Sequence, residues 1–472
     1  MVDLLHTASN TEFGKHFGFR HITNYKEFSE KIPIQDYNSL KPYIERTMAG
    51  EQNVLWPTPI TWFAKSSGTT DDKSKFIPVS KEALMDCHYK AGKDMYAIYY
   101  NLYPNANLVD GKSLVLGGSH QINKLSDNSY FGDLSAVLMQ NLPIWAEAKR
   151  VPVLSIALMD NWEEKIERMA EATLKHKITN ILGVPTWTVI LFRRLLDMTG
   201  KNNISEIWPT LELYVHGGVS FAPYKELFKE LIPNDNMHYM ETYNASEGFF
   251  AIQDSSMSDD LLLMLDYGIF YEFIPAEDLN KENAKAVTLE DVVLDKNYAV
   301  IISTNSGLWR YNLGDTVRFT SRDPFRLKVS GRIKHFINAF GEELIIENAE
   351  KALSIACQYT NCIVRDFTAA PIYFSKDGNG AHEWLIEFEK DPEDFQVFIN
   401  HLDDTLKQLN SDYEAKRFKD IALRRPIVRK LEKGTFYEWM KKRGKLGGQN
   451  KVPRLSNSRE FVDDILLFIG EK

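Results

Sequence analysis

The stretch ITNILGVPTWTVILFRRLLDMTG, residues 178–200, joins a short apolar run to a helical pattern that ends in glycine. The first part predicts a buried strand, and residues 187–198 predict a helix that Gly200 closes. The next strand-like run, LELYVHGG at 211–218, again ends in glycines, and Pro223 predicts the start of another helix. This repeat of strand and helix predicts a parallel or mixed sheet covered by helices.

The pattern changes on either side of this unit. Upstream, Asp160 and Glu163 predict an N-cap and capping box for an earlier helix. From about residue 261, strand-like runs separated by turn residues predict antiparallel structure, including a small β-barrel. The last part predicts helices and a hairpin around the turn KDGNGA. We therefore expect an α/β (mixed α+β) fold, with a large N-terminal domain at 1–329 and a small C-terminal α+β domain at 330–472.

Composition excludes several classes of protein. The 472 residues contain 56 Lys and Arg against 65 Asp and Glu, a net charge of −9, so a general basic footprint for nucleic acid is absent. The apolar runs are shorter than the ~20 residues that cross a bilayer, and the N-terminus lacks the pattern of a signal peptide. Three cysteines argue against a disulfide scaffold and a cysteine-rich zinc site. We expect a cytoplasmic, monomeric enzyme with no nucleic-acid or membrane partner.

Residues 65–70, KSSGTT, precede a second short motif, SKFIP. A glycine-hydroxyl loop can surround phosphates with backbone N–H groups and hydroxyls, and a lysine adds positive charge. The loop differs from the Walker pattern, because GxxxxGK[ST] is absent. The alternative interpretation is an ordinary polar surface loop.

Two further segments carry carboxylates beside aromatic side chains. In YNASEG, residues 243–248, Tyr243 offers a flat face for a base, and Glu247 follows a strand-like run where a carboxylate can hold Mg²⁺. In YNLGD, residues 311–315, Asp315 can accept hydrogen bonds from both hydroxyls of a ribose. The alternatives are a strand-to-loop turn with a solvated Glu and a tight hairpin turn.

Cations and glycines mark two segments in the C-terminal part. SGRIKHFIN, residues 330–338, places Arg332 and Lys334 beside a glycine at the predicted domain boundary, which suits a hinge that also contacts nucleotide. In GGQNKVPR, residues 447–454, flexible glycines precede Lys451, so a mobile loop can deliver this lysine to a distant site. The alternatives are a solvated charged connector and a basic tail.

Together and in this order, the segments resemble the acyl-adenylate-forming superfamily. The chain is more closely similar to the auxin-responsive acyl acid–amido synthetases, the Gretchen Hagen three family, and within it to the bacterial relatives. GVPTW at 183–187, VHGGVSFAPY at 215–224 and QNKVPR at 449–454 also resemble family segments. Two features differ, because Asn312 stands where the family usually has Arg, and the start of the chain is shorter.

The resemblance implies two half-reactions. A carboxylate attacks the α-phosphorus of ATP with Mg²⁺, giving an acyl-adenylate and pyrophosphate, and an amine, usually of an amino acid, then displaces AMP. Lys451 and Glu247 are the implied catalytic residues, with Glu247 as the Mg²⁺ ligand, and the small C-terminal domain is implied to be mobile. The implied nucleotide-binding residues are Ser66, Ser67, Gly68, Thr69, Thr70, Gly217, Gly218, Tyr243, Asn244, Ser246, Asp315 and Arg332.

Three alternatives stay open at this point. Trp187 is a candidate for the acyl pocket, although an aromatic residue in such a pattern is more often part of the core. An acyl-CoA ligase or a carrier-protein loader shares the adenylation motifs and uses a thiol in place of the amine. A nucleotide-binding protein without turnover belongs to a different class, and pyrophosphate exchange would distinguish it.

Overall fold

The structure is a computed structural model that describes the whole chain except residues 68–73, 118–121, 127, 160, 280, 282–283, 333–335, 376–377, 444–451 and 471–472 and the side chains of residues 67, 74, 126, 162 and 332. The described helices are α1 Val2–Ala8, α2 Glu12–His16, α3 Tyr25–Lys31, α4 Tyr37–Met48, α5 Tyr89–Leu102, α6 Leu134–Gln140, α7 Ile144–Lys149, α8 Leu154–Ala157, α9 Trp162–Thr173, α10 Pro185–Thr199, α11 Lys225–Leu231, α12 Ile346–Thr360, α13 Phe395–Leu409, α14 Ser411–Arg417, α15 Thr435–Lys442 and α16 Glu460–Phe468.

The described strands are β1 Trp62–Ser67, β2 Ser74–Val79, β3 Lys112–Val115, β4 Asn123–Ser126, β5 Ser129–Asp133, β6 Arg150–Val151, β7 Ile178–Leu182, β8 Leu213–Gly217, β9 His238–Ala245, β10 Gly248–Ile252, β11 Leu261–Leu263, β12 Ile269–Pro275, β13 Asn297–Thr304, β14 Tyr311–Arg322, β15 Phe325–Arg332, β16 Phe336–Ile337, β17 Leu344–Ile345, β18 Ile363–Ile372, β19 Ala381–Lys390 and β20 Ile427–Leu431. Short 3₁₀ turns and one π-helical turn, Ala83–His88, lie between these elements.

One large sheet organises most of the chain up to the end of β15. Its eleven strands lie in the order β12-β13-β14-β15-β11-β10-β9-β8-β7-β3-β6. The strands β6, β3, β7, β8 and β9 pair in parallel, which confirms the parallel unit predicted around residues 178–224. The remaining pairs are antiparallel. In the described part of the chain, the segment predicted to form a β-barrel continues the large sheet, because β10 pairs with both β9 and β11.

The start and end of the helices follow local chemistry. Gly200 closes α10 in a left-handed conformation at φ +65°, as predicted, because glycine has no Cβ to oppose it. The N-cap of α9 is Asn161, whose side-chain oxygen accepts a hydrogen bond from the backbone of Glu164. The cap is therefore one residue later than the predicted Asp160, and the cap bond goes to Glu164 where Glu163 was expected. Residue 160 itself lies outside the described part of the chain.

A smaller sheet and a C-terminal hairpin complete the layers. The order β2-β1-β5-β4 gives a four-stranded sheet. In the C-terminal part, β18 and β19 form the predicted antiparallel hairpin, and β20 adds in parallel to β19. Helices α12 and α13 cover one face of this small sheet through an apolar cluster that includes Phe398 and Leu402. Helices α15 and α16 cover the other face with Trp439 and Ile465.

The C-terminal part shares a core with the large sheet. A single apolar cluster contains Trp187 and Phe228 from the first region and Phe340, Trp384 and Leu455 from the second. Strand β15 ends at Arg332, and the domain boundary expected near residues 329–332 stays a prediction. In the described part of the chain, none of the helices has both the length and the apolar character needed to cross a membrane.

A buried ion pair ties the N-terminal helices to the sheet. The guanidinium of Arg310 donates to the Glu272 carboxylate, with Nη2–Oε1 at 2.8 Å and Nε–Oε2 at 3.0 Å. Its Nη1 donates to the carbonyls of Ser29 at 2.9 Å and Ile32 at 2.5 Å. Tyr25 Oη donates to Glu272 Oε1 at 2.9 Å. These contacts compensate both charges at a place where the two side chains are 5% and 0% exposed.

We expect Glu272→Gln to lower the free energy of unfolding by about 3–5 kcal/mol, because the amide leaves the Arg310 charge buried without a counter-ion. Urea unfolding followed by circular dichroism measures the change. Glu226→Gln is the control, since Glu226 pairs with Lys229 at the surface and such pairs contribute about 0–1 kcal/mol. An equally small effect for both variants would contradict this role of the buried pair.

Candidate active site

A tight hairpin places the YNASEG motif at the middle of the large sheet. Ala245 at the end of β9 pairs with Gly248 at the start of β10, so Ser246 and Glu247 form the two-residue turn between them. The neighbouring strand β8 ends beside this hairpin, because Gly217 pairs with Thr242. The sheet therefore brings the glycines of VHGG next to YNASEG, although the two motifs are distant in sequence.

The two glycines leave a smooth backbone surface at this position. A Cβ on Gly217 would lie 2.5 Å from the carbonyl oxygen of Thr242 and 3.2 Å from Asn244 Oδ1, so no side chain fits there. Gly218 has φ +78°, and no atom lies within 4 Å of the place where its Cβ would be. Gly217 therefore allows close packing against β9, and the open space beside Gly218 fits a flat ligand such as a nucleobase.

A buried histidine lies directly before the glycines. The ring of His216 stacks on Phe221 with centroids 4.1 Å apart, and the side chain is 4% exposed. Burial lowers the pKa of His216 to about 3, so the ring is neutral at physiological pH. Within the described part of the chain, His216 Nδ1 has no hydrogen-bond partner. The sequence pattern did not single out this residue, although its place in VHGG was the available signal.

One hydrogen bond connects the YNASEG and YNLGD motifs. Tyr243 Oη donates to Asp315 Oδ2 at 2.8 Å, and both residues are buried. The ring of Tyr243 also contacts Phe250, with centroids 4.9 Å apart. Asp315 lies on β14 opposite Arg332 of β15. The structure thereby brings together Tyr243, Asp315 and the backbone of Arg332, all three predicted from the sequence.

The YNLGD segment lies inside a strand. Residues 311–315 begin β14, whose register against β13 shifts at this point, so the hairpin turn that was the alternative interpretation is wrong. Gly314 has φ +88°, and its N–H donates to Asn312 Oδ1 at 3.0 Å. Asn312 therefore supports the local backbone at the position where the family pattern has a cation.

Glu247 is surrounded by polar and charged groups. Burial and the nearby carboxylate of Glu247 raise the pKa of the Tyr311 hydroxyl well above its usual value. Burial raises the pKa of Glu247, Lys75 opposes this shift, and Asp315 and Glu343 add to it. A buried carboxylate in such a place is stabilised by a cation. Lys75, on β2, belongs to the SKFIP motif but was not among the residues predicted for the site.

The phosphate-loop motif is only partly described. Ser66 on β1 pairs with Lys75 on β2, and Ser67 pairs with Ser74. These pairs bring the strand that carries Ser66 to the lysine that lies near Glu247. The predicted site residues that fall outside the described part of the chain are Gly68, Thr69, Thr70 and Lys451, together with the side chains of Ser67 and Arg332.

The segment that follows Lys451 is held to the C-terminal hairpin. Pro453 O accepts a hydrogen bond from Thr368 Oγ1 at 2.6 Å, and Arg454 forms an ion pair with Asp366. The guanidinium of Arg454 also lies 4.7 Å from the centre of the Phe367 ring. The position of this segment is therefore set by β18.

Trp187 lies at a contact between the two parts of the chain. Its side chain is 2% exposed on α10, and Lys416 Nζ on α14 lies 4.3 Å from its ring centre. On the same helix as Lys416, burial raises the pKa of Asp412 to about 7, with Glu343 as a further cause. In this arrangement the Trp187 ring packs against the C-terminal part, and its role in an acyl pocket stays a prediction.

Asn338, which the sequence pattern did not identify as a site residue, links the glycines to the C-terminal part. Its Nδ2 donates to the carbonyl of Gly218 at 2.9 Å. Its backbone N–H donates to Asn457 Oδ1 at 2.7 Å. The segment after β15 therefore contacts the backbone of the smooth glycine surface directly.

The carboxylates suit Mg²⁺ only together with a phosphate ligand. Within the described residues, no group of three or more His, Cys, Asp or Glu side chains could hold a metal ion by itself. Mg²⁺ is commonly bound through one or two carboxylates and the phosphates of a substrate. Glu247 meets that requirement, so the donor set fits a nucleotide-bound Mg²⁺.

Known protein families match most of the chain. Residues 1–237 match the GH3 family N-terminal domain, residues 262–332 its central domain and residues 347–460 its C-terminal domain. The indole-3-acetic acid-amido synthetase GH3.3 of Arabidopsis thaliana is 24% identical, covering 96% of this chain and 87% of the relative. The jasmonoyl–L-amino acid synthetase GH3.5 of Oryza sativa subsp. japonica is 25% identical, covering 96% and 90%.

Solved structures share the fold. The acyl acid amido synthetase AtGH3.15 in complex with 2,4-DB superposes with a TM-score of 0.63 at 17% identity, covering 99% of this chain and 92% of that one. A 2-hydroxyisobutyryl-CoA ligase in complex with 2-HIB-AMP and CoA gives a TM-score of 0.59 at 12% identity, covering 99% and 91%. The fold is thus common to an amido synthetase and a CoA ligase.

The neutral state of His216 predicts a pH dependence of stability. The unfolded chain binds a proton at this residue near pH 6.5, and the folded chain does not. The contribution of His216 to the free energy of unfolding is therefore fully present above that pH and decreases below it. Each pH unit below 6.5 costs about 1.4 kcal/mol. We expect His216→Phe, which keeps a ring against Phe221, to lose about 2 kcal/mol less than the native protein between pH 7 and pH 5.

Urea unfolding at the two pH values measures this difference. His21→Phe changes an exposed histidine and is the control, expected to retain the native dependence on pH. An equal loss of stability in His216→Phe and in the native protein would contradict a neutral, buried His216.

Proposed function

The chain belongs to the GH3 family, and we propose that it is an ATP-dependent acyl acid–amido synthetase. The hydrogen bond between Tyr243 and Asp315 carries this proposal, because it orients a buried carboxylate in the same part of the sheet as the Gly217–Gly218 backbone and Glu247. These groups suit the ribose, the base and the metal-bound phosphates of one nucleotide.

The proposed nucleotide contacts follow from the chemistry of each group. Asp315 accepts hydrogen bonds from the ribose hydroxyls, while Tyr243 keeps one carboxylate oxygen oriented. The nucleobase is proposed to lie against the backbone of Gly217 and Gly218, because the space beside Gly218 is open. Glu247 would hold Mg²⁺, which when bound neutralises charge on the phosphates. The residues proposed to surround the phosphates and complete the site are Ser66, Ser67, Gly68, Thr69, Thr70, Asn244, Ser246 and Arg332.

The first half-reaction brings two anions together. A carboxylate oxygen attacks the α-phosphorus in line with the bond to pyrophosphate, so cations and correct positioning lower the barrier more than a protein nucleophile would. Lys451 is proposed to bridge the carboxylate and the α-phosphate when the C-terminal part closes. Lys75 is a second cation near Glu247 and supports the same distribution of charge.

The second half-reaction is proposed to transfer the acyl group to the amine of an amino acid, with loss of AMP. Movement of residues 330–472 against residues 1–329 would admit the amine, and a cytoplasmic monomer is part of this proposal. A thiol acceptor is the alternative, because the same fold is found in a CoA ligase.

The test begins with pyrophosphate exchange into ATP in the presence of Mg²⁺ and a panel of carboxylic acids. We expect exchange with at least one aromatic or aliphatic acid, and AMP with pyrophosphate as the products of turnover. Absence of exchange with every acid, or release of ADP and phosphate, would refute the proposal. With the best acid, an amino-acid panel is expected to give an amide, and coenzyme A in place of the amine is expected to give none.

Substitutions at Asp315 test the nucleotide contact that carries the proposal. A hydrogen bond from a charged group contributes about 1.5–3 kcal/mol, so loss of two such bonds in Asp315→Ala is expected to lower kcat/KM for ATP by about a hundredfold or more. Tyr243→Phe removes only the donor that orients the carboxylate and is expected to cost about tenfold.

Steady-state kinetics with ATP varied at saturating acid measures both effects. Thr316→Ser, a conservative change at the next position of β14, is the control and is expected to retain the native kcat/KM. A folded Asp315→Ala variant that uses ATP normally would show that the Asp315 carboxylate does not bind the nucleotide.

A further inference from the structure

Two cysteines lie side by side in the C-terminal part. Cys357 is in the last turn of α12, and Cys362 lies directly before β18. Their Sγ atoms are 3.2 Å apart, and both are free thiols. The backbone supports this approach, because the N–H of Cys362 donates to the carbonyl of Cys357 at 3.2 Å and Asn361 between them is left-handed at φ +51°. The turn therefore holds two thiols against each other.

A cavity of about 500 Å³ opens beside this pair. Both cysteines line it, together with Glu350, Arg365 and Arg454. Cys357 is partly exposed, whereas Cys362 is 7% exposed. A small molecule in the cavity would therefore meet Cys357 first, with Cys362 directly behind it. The position of an accessible thiol before a second, more buried thiol is typical of redox-active pairs.

The third cysteine, Cys87, is not paired with another thiol among the described residues and is buried. Cys87 is 2% exposed, and its Sγ accepts a hydrogen bond from the backbone N–H of Phe249 at 3.2 Å. It lies on the π-helical turn of the N-terminal part, far in sequence from the other two. Cys87 is therefore an internal control for general reactivity of thiols in this protein.

We propose that Cys357 and Cys362 form a reversible disulfide by exchange with a small disulfide of the glutathione type. The sulfur of Cys357 attacks one sulfur of oxidised glutathione, its proton passes to solvent, and one glutathione leaves as the thiolate. The sulfur of Cys362 then attacks Cys357 within the mixed disulfide, and the second glutathione leaves. In total two protein thiols are oxidised and one glutathione disulfide is reduced to two glutathione thiols, so atoms and electrons balance.

The geometry favours the second step over accumulation of the mixed disulfide. A disulfide has an S–S length of about 2.05 Å, so the two sulfurs have to approach by only about 1 Å. The attacking thiol is already in place, which makes the step effectively intramolecular. Burial raises the pKa of Cys357 to about 12, so little thiolate is present at neutral pH and the first step is the slow one.

The site is next to a segment on which the proposed activity depends. Strand β18 begins directly after Cys362, and its Asp366 pairs with Arg454. Arg454 also lines the cavity, three residues after Lys451. A disulfide would therefore be located at the base of the strand that holds the lysine-bearing segment.

The test uses the full chain, incubated with oxidised glutathione at mildly alkaline pH. We expect the thiols counted with Ellman's reagent after denaturation to fall from three to one, and the intact mass to decrease by two hydrogens. Peptide mapping is expected to place the bond between Cys357 and Cys362 and to leave Cys87 as the remaining thiol. Dithiothreitol should restore all three thiols.

Two variants test the separate roles of Cys357 and Cys362 in the proposed exchange. Cys362→Ser removes the resolving thiol, so this variant is expected to keep one glutathionyl group on Cys357. Cys357→Ser removes the entry point and is expected to gain less than a tenth as much glutathione in the same time. A stable glutathionyl group on the native protein, a bond that includes Cys87, or no loss of thiols would each overturn the proposal.

Discussion

The hydrogen bond from Tyr243 to Asp315 joins two halves of one sheet that have different strand directions. Tyr243 is on β9, at the end of the parallel half, and Asp315 is on β14 in the antiparallel half. Both residues are buried, so the bond is formed only if every strand between them has its correct register. The candidate site exists because the large sheet is continuous, and the position of the carboxylate depends on the whole set of pairings.

The C-terminal part is fixed to this sheet by polar contacts as well as by the shared core. Tyr224 Oη donates to the carbonyl of Ala339 at 2.6 Å, and Thr186 Oγ1 donates to that of Phe340 at 3.2 Å. Asn338 adds the bond to Gly218. These contacts bind the backbone that directly follows the predicted hinge. A change in the relative position of the two parts therefore has to break bonds at the edge of the glycine surface.

Charged groups inside the protein are compensated by several hydrogen bonds each. Besides the pair of Arg310 and Glu272, the carboxylate of Glu342 is 0% exposed and accepts from two backbone N–H groups and from His382 Nε2 at 2.7 Å. Arg417 binds Asp403 through two nitrogens, both at 2.7 Å. Such pairs add little net stability over apolar residues, but removal of one partner is costly.

The amino-acid sequence by itself determined the elements whose signals are local. The strand at 178–182, the helix closed by Gly200 and the C-terminal hairpin follow from periodicity, capping and turn residues, which act over a few positions. The tertiary structure alone decided that the antiparallel strands extend the large sheet, that Lys75 lies near Glu247 and that Lys416 covers Trp187. These relations depend on strand register and on packing between distant segments, and neither is encoded in the spacing of residues within one element.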